Sequence, residues 1–295
     1  MNHAGAGAAG PLFAAAARAL PSCSETSVEF AVLGSSSSGN ASVLRVTTPT
    51  ARRQILLDAG LSPRNVRGAM SALGFDLDET NEVLFTHFDQ DHAREGWARV
   101  AATTGLALRC AHAHRPHAVA RGYPAQFVHT FDARGAGFDL GPVRVIPCEN
   151  AHDDGGTVAF RLETPAGAIG FATDIGRVHA RLVETLRGVH LLAIESNYDR
   201  AMQLSSNRPV FLKQRIMGGK GHLSNEECVE AVRAIAWPDH PEHVVLLHLS
   251  RECNAPEVVR GLWSRELPSL APRLSIAAAS APTAVIRMRV GRVAS

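Results

Sequence analysis

Lysine and long apolar runs are the two features that this sequence lacks most clearly. Of its 30 basic residues, 28 are arginine, and only Lys213 and Lys220 are lysine. The net charge of +2 is too small to indicate nucleic-acid binding by itself, because affinity for phosphate comes from clustered cations. No apolar stretch reaches the ~18–20 residues that a membrane-spanning helix needs, so the sequence predicts no membrane partner.

Cysteine pairs are missing as well. The five cysteines are widely spaced and form no C-x-x-C motif, which argues against a disulfide framework. The sequence therefore predicts reduced thiols in a cytoplasmic protein. The five residues are Cys23, Cys110, Cys148, Cys228 and Cys253.

Residues 1–27 differ in composition from the rest of the chain. They are rich in alanine and glycine, lack a basic start and carry Arg18 within the apolar part, so they do not match a secretion signal. We expect an unstructured extension here. With 45% hydrophobic and 20% charged residues in the chain, residues 28–295 are long enough for one large α/β domain.

Apolar periodicity predicts strands and helices in both halves of the chain. In the first half it predicts strands over SVEFAVLG, ASVLRVT, RQILLDAG and EVLFTH, and a helix over SPRNVRGAMSALG. In the second half it predicts strands over TVAFRLET, AIGFATD, HLLAIES, HVVLLHLS and TAVIRMRV, and a helix over NEECVEAVRAIAW. Asp174, Glu195 and His248 each follow an apolar run, and loops at strand ends are where a rigid sheet presents functional groups. One site built from both halves is therefore predicted.

The segment THFDQDH, residues 86–92, places four potential metal ligands directly after an apolar strand. In an extended turn, residues 87, 89 and 91 can face one way, and the loop as a whole can serve two adjacent metals. Taken alone, the segment fits a solvated loop with a helix cap equally well. A metal site is favoured by three isolated ionisable residues near later apolar runs, namely His152, Asp174 and His248.

The order of these residues resembles the metallo-β-lactamase fold, whose ligands follow H-x-H-x-D-H, then a histidine, an aspartate and a last histidine. Within that fold, the chain looks most like the YycJ/WalJ-type bacterial exonuclease-like hydrolases. The stretches that carry the likeness are LGSSSSGNAS, LLDAGLS, LFTHFDQDHAREG, ATDIG, IESNYDRAM, LKQRIMGGKGHLSNEE and LHLSRECN. The resemblance runs from about residue 30 to residue 255 and implies a single αββα sandwich of the α/β class.

The resemblance also implies two divalent metal ions, zinc or manganese, held by seven side chains. By that resemblance the first ion takes His87, Asp89 and His152, the second takes Asp91, His92 and His248, and Asp174 bridges them. Two ions about 3.5–4 Å apart can activate a shared water molecule and neutralise a phosphodiester. Asp91 is further implied in orienting that water.

Asp89 departs from the H-x-H-x-D-H pattern, which has a histidine in its place. A carboxylate is a harder ligand than an imidazole and adds a negative charge, which moves the metal preference toward manganese or magnesium. The same H-x-D-x-D-H form looks like that of competence-protein and phosphorylcholine-esterase domains, so loss of activity does not follow from Asp89 alone. A weakened or lost first metal site is the alternative.

Hydrolysis of a phosphodiester also requires a proton donor for the leaving group. Glu195 in ESN and His222 in GHLSN resemble the glutamate and histidine pair of the tRNase Z branch of the fold. A carboxylate partner would keep His222 protonated near neutral pH. The alternative is that Glu195 caps a strand end and His222 caps the following helix.

Three other segments have weaker signals. Lys213 and Lys220 flank Arg215 in LKQRIMGGKGH and are candidates for binding a phosphate backbone, with solvated surface charge as the alternative. SSSSGN, residues 35–40, predicts a turn with backbone amides near the metals. AHAHRPH, residues 111–117, lies outside the ligand order of the family and is interpreted as a surface loop.

These observations predict a two-metal phosphodiester hydrolase that acts on nucleic acid, on DNA rather than RNA, as an exonuclease working from the 5′ end. One alternative is a small-molecule hydrolase that cleaves a lactone, a thioester or a cyclic phosphodiester, because the fold hosts all of these reactions. The other is a non-catalytic interaction protein whose site has decayed.

Overall fold

The computed structural model describes residues 26–236 and 241–289. The predicted N-terminal extension therefore lies outside the described residues, except that the first strand already begins at Ser27. Cys23 lies outside them too, and the other four cysteines are buried free thiols. No helix within the described ranges is long and apolar enough to cross a membrane.

Strands and helices alternate along the described chain. The strands are β1 Ser27–Gly34, β2 Ala41–Thr47, β3 Arg52–Leu57, β4 Glu82–Leu84, β5 Ala107–Ala111, β6 Val128–Phe131, β7 Phe138–Leu140, β8 Val143–Asn150, β9 Thr157–Thr164, β10 Gly167–Ala172, β11 Leu191–Glu195, β12 His243–Leu247, β13 Leu274–Ile276 and β14 Ile286–Arg289. The α-helices are α1 Pro63–Ala72, α2 Gly96–Thr104, α3 Arg115–Ala120, α4 Ala180–Leu186, α5 Arg200–Ser205, α6 Val210–Met217, α7 Asn225–Ile235 and α8 Pro256–Glu266.

The strands form two mixed sheets of seven strands each. The first has the order β14-β1-β2-β3-β4-β5-β6, and the second has the order β13-β12-β11-β10-β9-β8-β7. In the first sheet, β3 to β6 are parallel, and in the second, β10 to β13 are parallel. Each sheet thus combines an antiparallel meander with a parallel part whose connections carry helices.

Three apolar layers hold these elements together. Leu44 and Phe160 belong to the layer between the two sheets. Met70 and Trp97 pack helices against the first sheet, while Trp263, with residues of α4 and α7, packs helices against the second. The arrangement is helix, sheet, sheet, helix, which confirms the predicted α/β class and αββα sandwich.

Local sequence explains where the helices begin. The side chain of Ser62 accepts a hydrogen bond from the amide of Asn65, and Pro63 occupies the first turn of α1. Ser224 and Glu227 form a reciprocal capping box at the start of α7. The strands and helices predicted from periodicity are confirmed, and the serine at position 224, rather than His222, caps α7.

The interpretation of residues 111–117 as a surface loop is wrong. The segment ends β5, makes one 3₁₀ turn over His112–His114 and enters α3. His114 is buried, and its Nε2 lies 3.1 Å from the carbonyl oxygen of Gly155. An alternation of histidine with alanine and proline has no clear helical period, so the pattern did not reveal the helix.

Parallel strands bring the polar residues to one edge of the sandwich. Asp58, Thr86, Thr173, Ser196 and His248 are at or next to the carboxyl ends of β3, β4, β10, β11 and β12. Loops at this edge of a parallel sheet are the usual place for a ligand site. The two halves of the chain therefore meet there.

Gly60 allows the loop after β3 to pack against the loop that carries Asp91. A Cβ atom at position 60 would lie 1.7 Å from the carbonyl oxygen of Asp91, so any side chain would force the two loops apart. The amide of Gly60 also donates to the carbonyl oxygen of Asn40 at 2.8 Å. Close backbone approach is the reason for glycine here.

We expect Gly60→Ala to lower the free energy of unfolding by at least about 3 kcal/mol. This value is the upper end of the usual cost of adding atoms to a closely packed position. Urea denaturation measures the change. Gly68→Ala on α1 is the matched control, because nothing lies within 4 Å of the added Cβ and the helix should gain about 0.5–1 kcal/mol. Equal stability of the two variants would contradict the packing argument.

Candidate metal centre

The three residues from His87 to Asp89 alternate between a cleft and the core. Phe88 is buried, and its ring packs 4.7 Å from that of Phe85, so the neighbours on either side, His87 and Asp89, face away from the core. The chain then turns, because the carbonyl oxygen of Asp89 accepts hydrogen bonds from the amides of His92 and Ala93. This turn places Asp91 and His92 beside His87.

Three loops of the second sheet complete the site. His152 follows β8, Asp174 follows β10 and His248 follows β12. Asp174 and His248 have left-handed backbone conformations, with φ of 52° and 57°, which non-glycine residues seldom adopt. Such conformations are found most often at functional sites, where the surrounding structure enforces them.

The seven predicted metal ligands lie together in this cleft. Their donor atoms form overlapping groups in which all atoms lie within 4.8 Å of one another. Three of the groups are His87 with Asp89 and His152; Asp91 with His92 and His248; and His87 with His92 and Asp174, and a fourth joins Asp174 and His248 to Glu195 and His222. The first two match the predicted ligand triads, and the third connects them through Asp174. Metal binding by these residues stays a prediction, which the geometry accommodates.

The chemistry of the cluster fits a pair of divalent cations. Nε2 of His87 and both carboxylate oxygens of Asp174 are buried without a hydrogen-bond partner of good geometry. A buried charged group left in this state is costly unless it is paired or coordinates a metal. Imidazole nitrogens and carboxylate oxygens are the donors that zinc and manganese accept.

Hydrogen bonds outside the cluster fix the imidazole rings. Nδ1 of His92 lies 2.8 Å from the buried carboxylate of Asp58, and Nδ1 of His152 lies 2.9 Å from the carbonyl oxygen of Gly221. Nδ1 of His87 lies 2.9 Å from the hydroxyl of Thr86. In each ring Nε2 is the nitrogen left for the cleft, which is the usual arrangement around a metal.

Asp58 and Asn40 contact the ligand cluster directly, and the sequence reasoning did not single them out. Asp58 accepts hydrogen bonds from the amide and hydroxyl of Thr86 in addition to its contact with His92. Asn40, in the predicted SSSSGN turn, places its amide 2.9 Å from Nε2 of His92 and 3.2 Å from the carbonyl oxygen of Asp91. The signal for Asp58 was present, because it is a carboxylate at the end of the apolar run QILL.

Charges in the cleft move the pKa values of several groups. Burial raises the pKa of Asp174, but the imidazoles of His248 and His92 outweigh burial and hold it well below its usual range. Burial, with the neighbouring His92, lowers the pKa of His87 well below its usual value. Asp174 is therefore anionic and His87 is neutral, the forms that metal ligands require.

Glu195 and His222 form a pair beside this cluster. Nδ1 of His222 lies 2.6 Å from Oε1 of Glu195 and 3.2 Å from Oδ1 of Asp174. Burial lowers the pKa of His222, but the carboxylates of Glu195 and Asp174 outweigh burial and raise it to about 9. Glu195 is fully buried and also accepts a hydrogen bond from the amide of Ile175. The pair is thus held rigidly at the wall of the cleft.

Arginines rather than lysines line this cleft of about 430 Å³. Arg208 and Arg215 lie in its wall. The ammonium group of Lys213 instead donates to the carbonyl oxygens of Leu204 and Ser206, at 2.6 and 2.7 Å. Lys220 is in an adjoining groove, 4.0 Å from an exposed carboxylate. The structure does not bring the two lysines into the cleft, and their role in substrate binding stays a prediction.

A four-layer sandwich with this cluster at its strand ends defines a hydrolase of the metallo-β-lactamase fold. The chain belongs to the β-lactamase superfamily, since residues 53–249 match the β-lactamase superfamily domain. It is 26% identical to exodeoxyribonuclease YycJ of Bacillus anthracis over 236 residues, which cover 79% of this chain and 86% of the relative. It is 27% identical to exodeoxyribonuclease WalJ of Streptococcus pneumoniae over 240 residues, 80% of this chain and 86% of the relative.

Solved structures share the fold at low sequence identity. The metallo-β-lactamase fold protein YhfI of Bacillus subtilis superposes with a TM-score of 0.66 at 14% identity, covering 88% of this chain and 99% of its own. The short form of human tRNase Z superposes with a TM-score of 0.57 at 12% identity, covering 89% of this chain and 99% of its own.

We expect the natural protein to bind two metal equivalents and Asp174→Ala to bind less than one, because two dications would then repel each other across an underfilled site. Elemental analysis of the purified proteins measures the stoichiometry. Asp154→Ala is the control, since the side chain of Asp154 is fully exposed beside the same cleft. Unchanged metal content in Asp174→Ala would exclude a bridging role.

Proposed function

We propose that this protein is a metal-dependent phosphodiesterase that removes nucleotides from nucleic acid, from DNA in particular, starting at a 5′ end. The observation that carries the proposal is that His222, paired with Glu195, contacts Asp174. Asp174 is the residue that connects the two ligand triads. A hydrolase of esters with acidic leaving groups has little need of such a pair, whereas the alkoxide that leaves a phosphodiester is a strong base and needs a proton.

Each residue of the cleft has a role under this proposal. Two divalent ions, when bound, activate a water molecule and neutralise the charge of the phosphodiester. Asp91, partly exposed and 3.1 Å from Nε2 of His248, orients the attacking water. His222 presents Nε2 to the leaving oxygen, because its other nitrogen is engaged by Glu195. Glu195 is a positioning residue that fixes the ring and favours its protonated form.

The relatives support nucleic acid as the substrate. The curated proteins that align over about four fifths of this chain are exodeoxyribonucleases. The cleft itself is open and carries arginine in its wall, and guanidinium groups match phosphate geometry well.

End-labelled oligonucleotides test the proposal. We expect 5′-labelled DNA to release labelled mononucleotides early with manganese or zinc present, while 3′-labelled DNA shortens stepwise. The same panel with RNA and with a lactone and a thioester compares the other substrate classes. Hydrolysis of the lactone or thioester alone would contradict the proposal, and so would a folded protein that hydrolyses nothing with any of the metals.

We expect His222→Ala to keep both metals but to lower turnover of DNA by about 10²–10⁴-fold, the usual contribution of a positioned general acid. The loss should be much smaller on a nitrophenyl phosphodiester, whose leaving group departs without a proton. His129→Ala, which changes an exposed histidine on β6, is the control. Loss of a metal, or equal losses on both substrates, would instead assign His222 as a ligand or structural residue.

We expect Asp89→His to bind zinc more tightly relative to manganese, because imidazole is the softer ligand and removes a negative charge. The carboxylate is more than half exposed and lies 3.8 Å from Nε2 of His87, so an imidazole fits at the cleft edge. Competitive titration of the two metals measures the preference. A zinc preference that is unchanged or lower would show that Asp89 faces solvent and binds no metal.

A further inference from the structure

Positive charge is concentrated in one segment beside the cleft, residues 198–222. The segment contains five cations and one acidic residue, a net charge of +4, whereas the whole chain carries +2 and the rest of it therefore carries −2. The cations are Arg200, Arg208, Lys213, Arg215 and Lys220, and the acidic residue is Asp199. Two of these cations, Arg208 and Arg215, pair with carboxylates outside the segment, so the charge available to attract a polyanion is smaller than this count.

Two of these cations are fixed where the segment forms the cleft wall. Arg208 donates to the side chains of Gln203, Ser250 and Glu252. Arg215 donates to both carboxylate oxygens of Asp153, the neighbour of His152. Both guanidinium groups are therefore held beside the ligand cluster by carboxylates, and the Arg215 side chain is still 61% exposed and open to a ligand.

The same segment exposes apolar side chains to solvent. The exposed fractions are 56% for Leu204, 69% for Val210 and 72% for Phe211. Phe211 is the only aromatic residue among the large apolar side chains that are exposed in the described part of the chain. A phenylalanine exposed to this degree contributes little to the core, and its ring is accessible to a ligand.

Helical spacing places Phe211 at the rim of the cleft. Phe211 and Arg215 are four residues apart in α6, which puts them on the same face, about 5–6 Å apart at Cβ. Leu212, Arg215 and Ile216 line the cleft, so Phe211 begins the surface immediately outside it. An aromatic face next to fixed cations is the combination that binds single-stranded nucleic acid.

We propose that α5 and α6 form the binding surface for an unpaired nucleotide adjacent to the scissile phosphate, with the base stacked on Phe211 and the backbone held by Arg208 and Arg215. This rests on the proposed function and extends it to a preference for single-stranded ends. Inside a duplex both faces of a base are already covered, so an internal base has to be unpaired and unstacked before the ring can stack on it.

Paired rate measurements test the stacking role. For Phe211→Ala we expect the ratio of kcat/KM on a single-stranded 12-mer to kcat/KM on bis(4-nitrophenyl) phosphate to fall by about tenfold, the value of one stacked base. Val258→Ala, which truncates an exposed apolar residue on α8 away from the cleft, should leave the ratio unchanged. An unchanged ratio in Phe211→Ala would overturn the proposal.

A binding measurement separates this inference from the proposed function. Fluorescence anisotropy of a labelled 12-mer in EDTA should show about tenfold weaker binding by Phe211→Ala even if the natural protein hydrolyses neither substrate, in which case only the proposed function fails. A duplex of the same sequence should bind equally to both proteins. Sedimentation tests whether the surface instead binds a second copy of this protein. A dimer that Phe211→Ala converts to monomers would show this and overturn the proposal.

Discussion

The attraction between one buried carboxylate and the imidazoles around it is the constraint on which the rest of the site depends. Asp174 lies 2.5 Å from Nε2 of His92, 2.8 Å from Nδ1 of His248, 3.2 Å from Nδ1 of His222 and 3.8 Å from Nε2 of His87. These histidines come from both halves of the chain. A buried anion without such partners would be strongly destabilising, so the loops of both sheets have to come together around Asp174.

The loops at the strand ends keep the residues around Asp174 in position. Asp58 hydrogen-bonds Nδ1 of His92, on the side of the ring away from Asp174. The side-chain amide of Asn40, in the SSSSGN turn, donates to the carbonyl oxygen of Asp91 in the neighbouring loop. The close approach of Gly60 to the same loop leaves no room for a different loop conformation. A network in which every loop contacts its neighbour is rigid, and rigidity is what a site needs to hold ligands in place before substrate arrives.

The strands and helices could be predicted because they depend on local apolar patterns, whereas the set of residues in the cleft was implied by the resemblance to the metallo-β-lactamase fold. Apolar runs of strand length ending in His87, Asp174 and His248 place those side chains at one edge once the sheets are parallel there. Contacts set by tertiary packing could not be predicted. The sequence does not distinguish Lys213, whose charge is engaged by backbone carbonyls, from Arg215, which reaches the cleft. The apolar residues of AHAHRPH also have no helical spacing from which its turn and helix could be recognised.

If the cleft binds metal as proposed, its assembly from both halves of the chain links metal concentration to folding. His87 and His248 are brought together only when both sheets have formed, so a half-folded chain has no complete site to offer. Ions that bind only the folded state stabilise it by about 2.7 kcal/mol at a concentration 100 times their dissociation constant. This is a large share of the roughly 5–15 kcal/mol that stabilises a typical domain. Metal supply would then set the lifetime of the folded protein as well as its activity.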